Sequence, residues 1–311
     1  MHKIFIDGSA GTTGLRIFDR LACRSDIELI TLSDADRKNP LKRSEALNSA
    51  DIAFLCLPDA AAAEAVNFLK NEQTCLIDTS TAHRTSPEWV YGFPELDKSF
   101  ESKIKTSKKI AVPGCHASGF IALVFPLIKN GFISPDSLLT CHSLTGYSGG
   151  GKKMIAQYEL EKDNPLFNAP RQYGISQQHK HLKEMTAITG LKNAPAFCPI
   201  VADFYSGMEL TVPLFASQLT GGKTADDIKE LYSETYSKNA IVKYAEASDE
   251  EGFLSAAKLS GKDAMEISVY GNCDRILLTA RYDNLGKGAS GAALECMNLV
   301  MGVSPETGLV I

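Results

Sequence analysis

HKIFIDGSAGTTGLRIFDRL, residues 2–21, reads as strand, glycine turn and helix. Lys3 to Ile6 is a short apolar strand, and a helical run opens at Leu15. The turn between them is rich in glycine, which lets backbone approach a pyrophosphate. The first N–H groups of the following helix are unpaired and carry partial positive charge, which stabilises an anion. Gly8, Ala10, Gly11, Thr12, Thr13 and Gly14 are therefore candidate ligands of a dinucleotide. The spacing is G-x-x-G-x-x-G rather than the commoner G-x-G-x-x-G. The motif gains weight from heading an alternating β, α series.

That series continues through apolar runs at Ile27–Leu32, Ile52–Leu57, Cys75–Ile77 and Lys109–Val112, with helical patterns at Ser44–Asn48 and Ala60–Lys70. A continuous apolar strand such as Ile52–Leu57 suits a sheet covered on both faces. The alternation predicts an α/β fold, a doubly wound parallel sheet. The second strand ends at Ser33, followed by DADRK, residues 34–38. An acidic residue there would take the ribose hydroxyls of NAD, whereas Ser33 with Arg37 or Lys38 would hold the extra phosphate of NADP. The two cations favour NADP. DTSTAHR, residues 78–84, sets hydroxyls, Ser80 among them, at a strand's C-terminal end, where open parallel sheets bind ligands. Arg84 suits a bidentate grip on carboxylate or phosphate.

KIAVPGCHASGFIALVF, residues 109–125, carries the reactive group. The strand is broken by Pro113 and Gly114, Cys115 follows, and a helix begins near Ser118. A thiol at a helix N-terminus is favoured as thiolate. Cysteine is more often a small buried apolar side chain, but the Pro-Gly turn and the small residues after it point to a nucleophile. Ser118 is a candidate substrate ligand beside it.

The pattern then changes. Ser137–Thr145 reads as a longer strand leading into GYSGGGKKM, residues 146–154. Amides of such a loop, with Lys152 or Lys153, can cradle phosphate. An irregular stretch contains Arg171. HKHLKEM, residues 179–185, opens a helix. His179 and His181 stand two apart and point to different sides of it, poor geometry for a shared metal, so no metal is expected. One histidine is the candidate base for Cys115, the other a positioning group. Long strands at 196–202, 205–217, 265–271 and 276–283, with a helix at 225–236, suggest an α+β block with antiparallel strands. A last helix runs from Ala292 to Met301, and pattern alone assigns it to this second block.

The chain has 311 residues, enough for roughly two domains of about 150. Net charge is -5 with no basic block, which argues against nucleic acid as a partner. No apolar run reaches the length of a membrane span. The eight cysteines are scattered, none in a C-x-x-C pair, and read as reduced thiols in a cytoplasm.

PGCHASG, GYSGGGK, HKH, DTSTAHR, YGFPEL (residues 91–96) and the terminal NLGKGASGAALECMNL together resemble the N-acetyl-gamma-glutamyl-phosphate reductases of arginine biosynthesis, in their shorter form, over essentially the whole chain. One departure is Lys183, where the family usually has proline. The resemblance implies an NADP-binding Rossmann domain, residues 1–114 and 286–311. It also implies an inserted α+β domain of the glyceraldehyde-phosphate and aspartate-semialdehyde dehydrogenase type, residues 115–285. Asn284 and the glycines after it would lie near the nicotinamide, and the last helix would return to the first domain. The reaction implied is NADPH-dependent reduction of a small-molecule acyl phosphate through a thioester on Cys115, with His181 as acid and base and His179 as its alternative. Arg84, Lys152 and Arg171 are candidates for the substrate's phosphate or carboxylate. A homodimer or homotetramer is expected. Rival readings are an aspartate-semialdehyde dehydrogenase, against which the HKH pair and the glycine loop argue, a lysine-pathway acyl-phosphate reductase, and a non-catalytic NADP sensor.

Overall fold

The computed structural model describes every residue except Lys238. The chain forms two compact units, Met1–Gly114 with Ala289–Leu309, and Cys115–Gly288 with the last two residues. The second crossing thus lies between Gly288 and Ala289, three residues beyond the expected start at 286.

In the first unit the order is β1 (His2–Asp7), α1 (Thr12–Leu21), β2 (Ile27–Ile30), α2 (Pro40–Ser49), β3 (Ile52–Leu55), α3 (Asp59–Val66), β4 (Cys75–Asp78), β5 (Val90–Tyr91), α4 (Lys98–Thr106) and β6 (Lys109–Ala111). The strands form one parallel sheet in the order β2-β1-β3-β4-β6-β5. Side chains alternate across it: Ile4, Ile6, Ile52 and Phe54 enter one core, Phe5, Ala53 and Leu55 the other. Both faces are buried, so the strands read as unbroken apolar runs rather than as half-polar ones. Chain order reverses between β1 and β3, and open α/β sheets bind ligands at the C-terminal ends of strands at that point.

The second unit contains α5 (Cys115–Lys129), β7 (Thr140–Gly146), α6 (Gly151–Leu160), β8 (Arg171–Gln172), α7 (His181–Thr189), β9 (Ala196–Ala202), β10 (Met208–Phe215), α8 (Ala225–Tyr236), β11 (Val242–Tyr244), β12 (Met265–Gly271) and β13 (Arg275–Tyr282). Its seven-stranded sheet runs β11-β12-β13-β10-β7-β9-β8. The expectation of antiparallel strands is corrected here. The sheet is mixed, since β7 pairs parallel with β9 and β11 with β12. Alternation of apolar residues reports which face is buried and says nothing about strand direction. α5 is buried from His116 through Val124, all round, as a central helix must be. α8 is tied to it by Tyr232 and Tyr236, whose hydroxyls donate to the Leu123 and Ala122 carbonyls at 2.6 Å each.

The chain then re-enters the first unit as α9 (Gly291–Met301), preceded by a π-helical turn at Gly286–Ser290. Ala292, Ala293, Cys296 and Met297 join the core on the α1 side of the parallel sheet.

Candidate active site

The glycine turn packs backbone against backbone. Gly8 has φ +90°, and a Cβ there would lie 2.2 Å from the Cys56 carbonyl oxygen. A Cβ on Gly14 would lie 2.4 Å from the Gly8 oxygen. Both glycines are therefore required by close backbone packing. Gly11 caps α1 without any side-chain hydrogen bond, and the first turn holds no acidic residue, so the helix start is open to an anion. A cavity of about 540 Å³ lies beside the turn, at the ends of β1 and β2. Gly8, Ala10, Leu32, Arg37 and Lys38 are among its walls.

Within this cavity the basic groups differ in commitment. Arg43 is buried and gripped by Asp7, with Nη2 to Oδ2 at 2.9 Å. Burial pushes the Asp7 carboxyl above its ordinary range, and Arg43 partly offsets this. Arg37 keeps only a long pair with exposed Asp34, at 3.3 Å. Ser33 does not line the cavity; its hydroxyl donates to Asp36 at 2.7 Å. Ser80 is buried, and its hydroxyl and amide both donate to Asp78. The same carboxylate takes His83 Nδ1 at 2.6 Å, and the His83 ring stacks on Trp89. Arg84 donates to the Val112 and Thr79 carbonyls at 2.8 and 3.0 Å, so backbone carbonyls at the ends of β6 and β4 already take part of its fork.

In the second unit the thiol sits at the first residue of α5, three positions earlier than the helix start expected at Ser118. Cys115 is half-buried. Tyr282, wholly buried on β13, holds this turn: its hydroxyl donates to the Cys115 carbonyl at 2.6 Å and accepts the Gly119 amide at 3.2 Å. Gly119 must lack a side chain, because a Cβ would stand 2.7 Å from the Tyr282 ring. Gly288 packs from the other side, where a Cβ would lie 3.1 Å from Cys115 Cβ. Ser118 is buried one turn along.

Imidazoles gather around His116, the residue after Cys115. The His116 ring lies 5.8 Å from that of His179 and 5.6 Å from that of His181, centroid to centroid, and those two lie 4.7 Å apart. The tertiary fold thus brings both expected histidines to the residue next to Cys115. They are not equivalent. His179 Nδ1 accepts the backbone N–H of His181 at 3.2 Å, capping α7 and placing its own proton on Nε2 when neutral. Burial, and then Lys180, lower its pKa. Lys183, in place of the usual proline, leaves the helix start at His181 intact. Among the described residues no group of metal ligands forms.

Sequence reading missed His116, Ser143, Tyr173 and Tyr282. His116 Nδ1 is 2.7 Å from Ser143 Oγ and its Nε2 is 2.6 Å from Tyr173 Oη. The only signal was the sequence neighbour of Cys115; the partners come from β7 and from the loop after β8.

Other candidates stand apart from this cluster. Arg171 donates to the Tyr158 hydroxyl at 2.9 Å and lies over the Phe167 ring at 4.3 Å, and its Nε is buried with no hydrogen-bond partner. Lys152 is exposed on the first turn of α6. The glycine loop is no phosphate cradle at its start. The amides of Gly146, Tyr147 and Ser148 are spent on the carbonyls of Gly207, Phe204 and Tyr205. Asn284 braces the same loop, donating to Ser148 Oγ and accepting the Gly207 amide, both at 2.9 Å.

Comparison with known proteins agrees with this geometry. Residues 3–104 match the family model described as semialdehyde dehydrogenase, NAD binding domain, and residues 115–284 match semialdehyde dehydrogenase, dimerisation domain. The fold is that of solved aspartate semialdehyde dehydrogenases. The enzyme from Francisella tularensis superposes with a TM-score of 0.73 at 16% identity, over 97% of this chain and 100% of that one. Aspartate semialdehyde dehydrogenase II from Vibrio cholerae gives 0.72 at 14%, over 97% and 98%. Curated relatives are far nearer in sequence. N-acetyl-gamma-glutamyl-phosphate reductase of Sinorhizobium medicae is 44% identical over 96% of this chain and 98% of its own length. N-acetyl-gamma-glutamyl-phosphate reductase 2 of Nostoc sp. is 41% identical over 99% of each. Identity of that order along nearly the whole chain, through both units, makes this protein a member of the N-acetyl-gamma-glutamyl-phosphate reductase family.

Proposed function

We propose that this enzyme reduces N-acetyl-gamma-glutamyl phosphate to the semialdehyde with NADPH, releasing phosphate. The observation that carries the reading is a half-buried thiol at the first residue of a buried helix, next in sequence to His116, whose ring packs with those of His179 and His181. The helix N-terminus favours negative charge on the sulfur. Cys115 attacks the acyl carbon, phosphate leaves with the C–O bond electrons, and a thioester remains. A reduced nicotinamide, when bound, supplies hydride to the thioester carbon. The Cys115 sulfur then departs as thiolate. His181 takes the role of proton carrier, and His179 positions it through the helix start. The N-terminus of α5 stabilises the oxyanion.

The residues of the first unit fit the cofactor. The glycine turn and the start of α1 would hold the pyrophosphate, and Arg37 with Lys38 the additional phosphate of NADP. Arg171, a cation with no carboxylate partner among the described residues, is assigned to the substrate's anionic end, and Ser118 and Lys152 to its surroundings. We assign the outer face of the mixed sheet, which exposes Phe215 and Leu277, to a second copy of the chain, giving a homodimer or a homotetramer built from it. No helix among the described residues is long and apolar enough to cross a membrane. Eight free cysteines support a reducing compartment, the cytoplasm.

The test is NADPH oxidation with N-acetyl-gamma-glutamyl phosphate against aspartyl phosphate, repeated with NADH. The reading requires preference for the first substrate and for NADPH. Cys115→Ser must abolish turnover while cofactor binding survives. Faster turnover of aspartyl phosphate would refute the substrate assignment.

A further inference from the structure

Three consecutive residues at the end of β13 each hold a different segment. The Tyr282 hydroxyl fixes the Cys115 carbonyl and the Gly119 amide. Asn284 braces Ser148 in the glycine loop and the Gly207 amide. Asp283 stands between them, wholly buried. A buried carboxylate is costly unless donors take its lone pairs, so its partners show what it is there to hold.

The two carboxylate oxygens serve different purposes. Oδ1 accepts the amides of Leu285 and Gly286 at 2.6 and 3.1 Å. The main-chain carbonyl of Asp283 accepts the amides of Gly286 and Gly288 at 3.1 and 3.0 Å. An aspartate that bonds backbone two and three residues ahead shapes a turn locally. Here it shapes the start of the π-helical turn Gly286–Ser290, a rare form that recurs at functional sites. Oδ2 instead reaches distant segments, accepting Ser206 Oγ at 2.8 Å and the Gly261 amide.

The turn so held lies against the nucleophile. A Cβ on Gly286 would collide with the Lys262 carbonyl oxygen, so that part of the turn is closely packed. A Cβ on Gly288 would stand 3.1 Å from Cys115 Cβ and 3.3 Å from its Cα. Backbone at Gly288 is thus a wall against the base of the Cys115 side chain, and its amide is tied to Asp283.

We propose that Asp283 is a positioning residue for Cys115: it holds the amides of residues 285, 286 and 288, and so sets the backbone wall that fixes how the thiol is presented. It acts through Gly288. The proposal rests on Cys115 being the nucleophile, but not on which acyl phosphate it attacks.

The experiment is alkylation of the full chain by iodoacetamide, without substrate or cofactor, followed at the Cys115 peptide by mass spectrometry, with urea unfolding of each variant alongside. Asp283→Ala removes the side-chain ties of Leu285 and Gly286. The wall slackens, and alkylation should quicken about five- to tenfold, the worth of one or two hydrogen bonds. Gly288→Ala sets a methyl against Cys115 and should slow alkylation, the opposite sign. Asp283→Asn keeps a carbonyl oxygen for Leu285 and Gly286 and turns its amide group toward Ser206 and Gly261. It should lose stability yet alkylate within about twofold of the parent, as should Ser206→Ala. General loosening would instead move Asp283→Asn together with Asp283→Ala. A folded Asp283→Ala that alkylates like the parent, an Asp283→Asn as fast as Asp283→Ala, or a Gly288→Ala that is not slowed would each overturn the proposal. Should Asp283→Ala fail to fold, Gly288→Ala and Asp283→Asn decide. Failure of the substrate assignment would appear only as lost turnover with N-acetyl-gamma-glutamyl phosphate, with the alkylation differences intact. Failure of the nucleophile assignment would appear as retained turnover in Cys115→Ser.

Discussion

Gly119→Ala sets two physical effects against each other. Gly119 lies inside α5, where alanine is intrinsically better than glycine by about 1 kcal/mol. Local propensity alone therefore predicts a stabilised protein. The tertiary contact predicts the reverse. A Cβ would stand 2.7 Å from Cε1 and Oη of Tyr282, and that ring is wholly buried. Relief requires moving Tyr282 or α5, an overpacking cost of about 1–3 kcal/mol. The same movement strains the two hydrogen bonds of the Tyr282 hydroxyl, to the Cys115 carbonyl and from the Gly119 amide, each worth about 1 kcal/mol. With the propensity gain subtracted, the net loss is about 2–4 kcal/mol. For a unit of this size that is a fall in Tm of roughly 4–16 °C. Thermal and urea unfolding measure it directly. Because Tyr282 holds the backbone of the nucleophile, the Cys115 alkylation rate should fall as well. Tyr282→Phe keeps the packing and removes only the hydroxyl, so it should lose about 2 kcal/mol and slow alkylation similarly. A Gly119→Ala protein as stable as its parent, or more so, would refute the claim that this glycine exists to admit the tyrosine.

Three further outcomes are expected. His181→Asn should lower kcat by about 10²–10⁴ and change the pH profile, whereas His179→Asn should mainly weaken the start of α7; the reverse result in steady-state kinetics exchanges their roles. If Arg37 holds the extra phosphate as proposed, Arg37→Ala should weaken NADPH binding about 10–100-fold in a fluorescence titration and leave NADH binding unchanged. Acid should destabilise the fold through His116. Its folded pKa is depressed to about 3 from 6.5, so the unfolded chain takes up the proton first, and stability present above pH 6.5 is lost as pH falls. Between pH 7 and 5 the loss is about 2 kcal/mol from this group, with His179 adding in the same direction; urea unfolding of His116→Gln should show a flatter pH dependence.

Much of the first unit was legible. Ile4, Ile6, Ile52 and Phe54 fall in runs that only a doubly covered parallel strand produces, and the glycine turn sits where such a sheet binds phosphate. α4 escaped notice because its one buried residue, Ile104, leaves no apolar periodicity to read. Composition does not reveal that the first amides of the glycine loop, at residues 146–148, face the strand connection at residues 204–207 and are committed there. Cys115 stood out by its place after Pro-Gly, but His116 could not be told from a core histidine.

Local pattern determined what depends on neighbours in the chain: strand against helix, the turn that admits a phosphate, the thiol at a helix start. Those features arise from periodicity, capping and backbone freedom within a few residues. Tertiary structure alone decided which side chains meet. Ser143, Tyr173 with His179, and Tyr282 reach α5 from three segments far apart in sequence. Each contact depends on strand register and on packing within a shared core, and a one-residue slip in register would turn each strand's side chains to the opposite face.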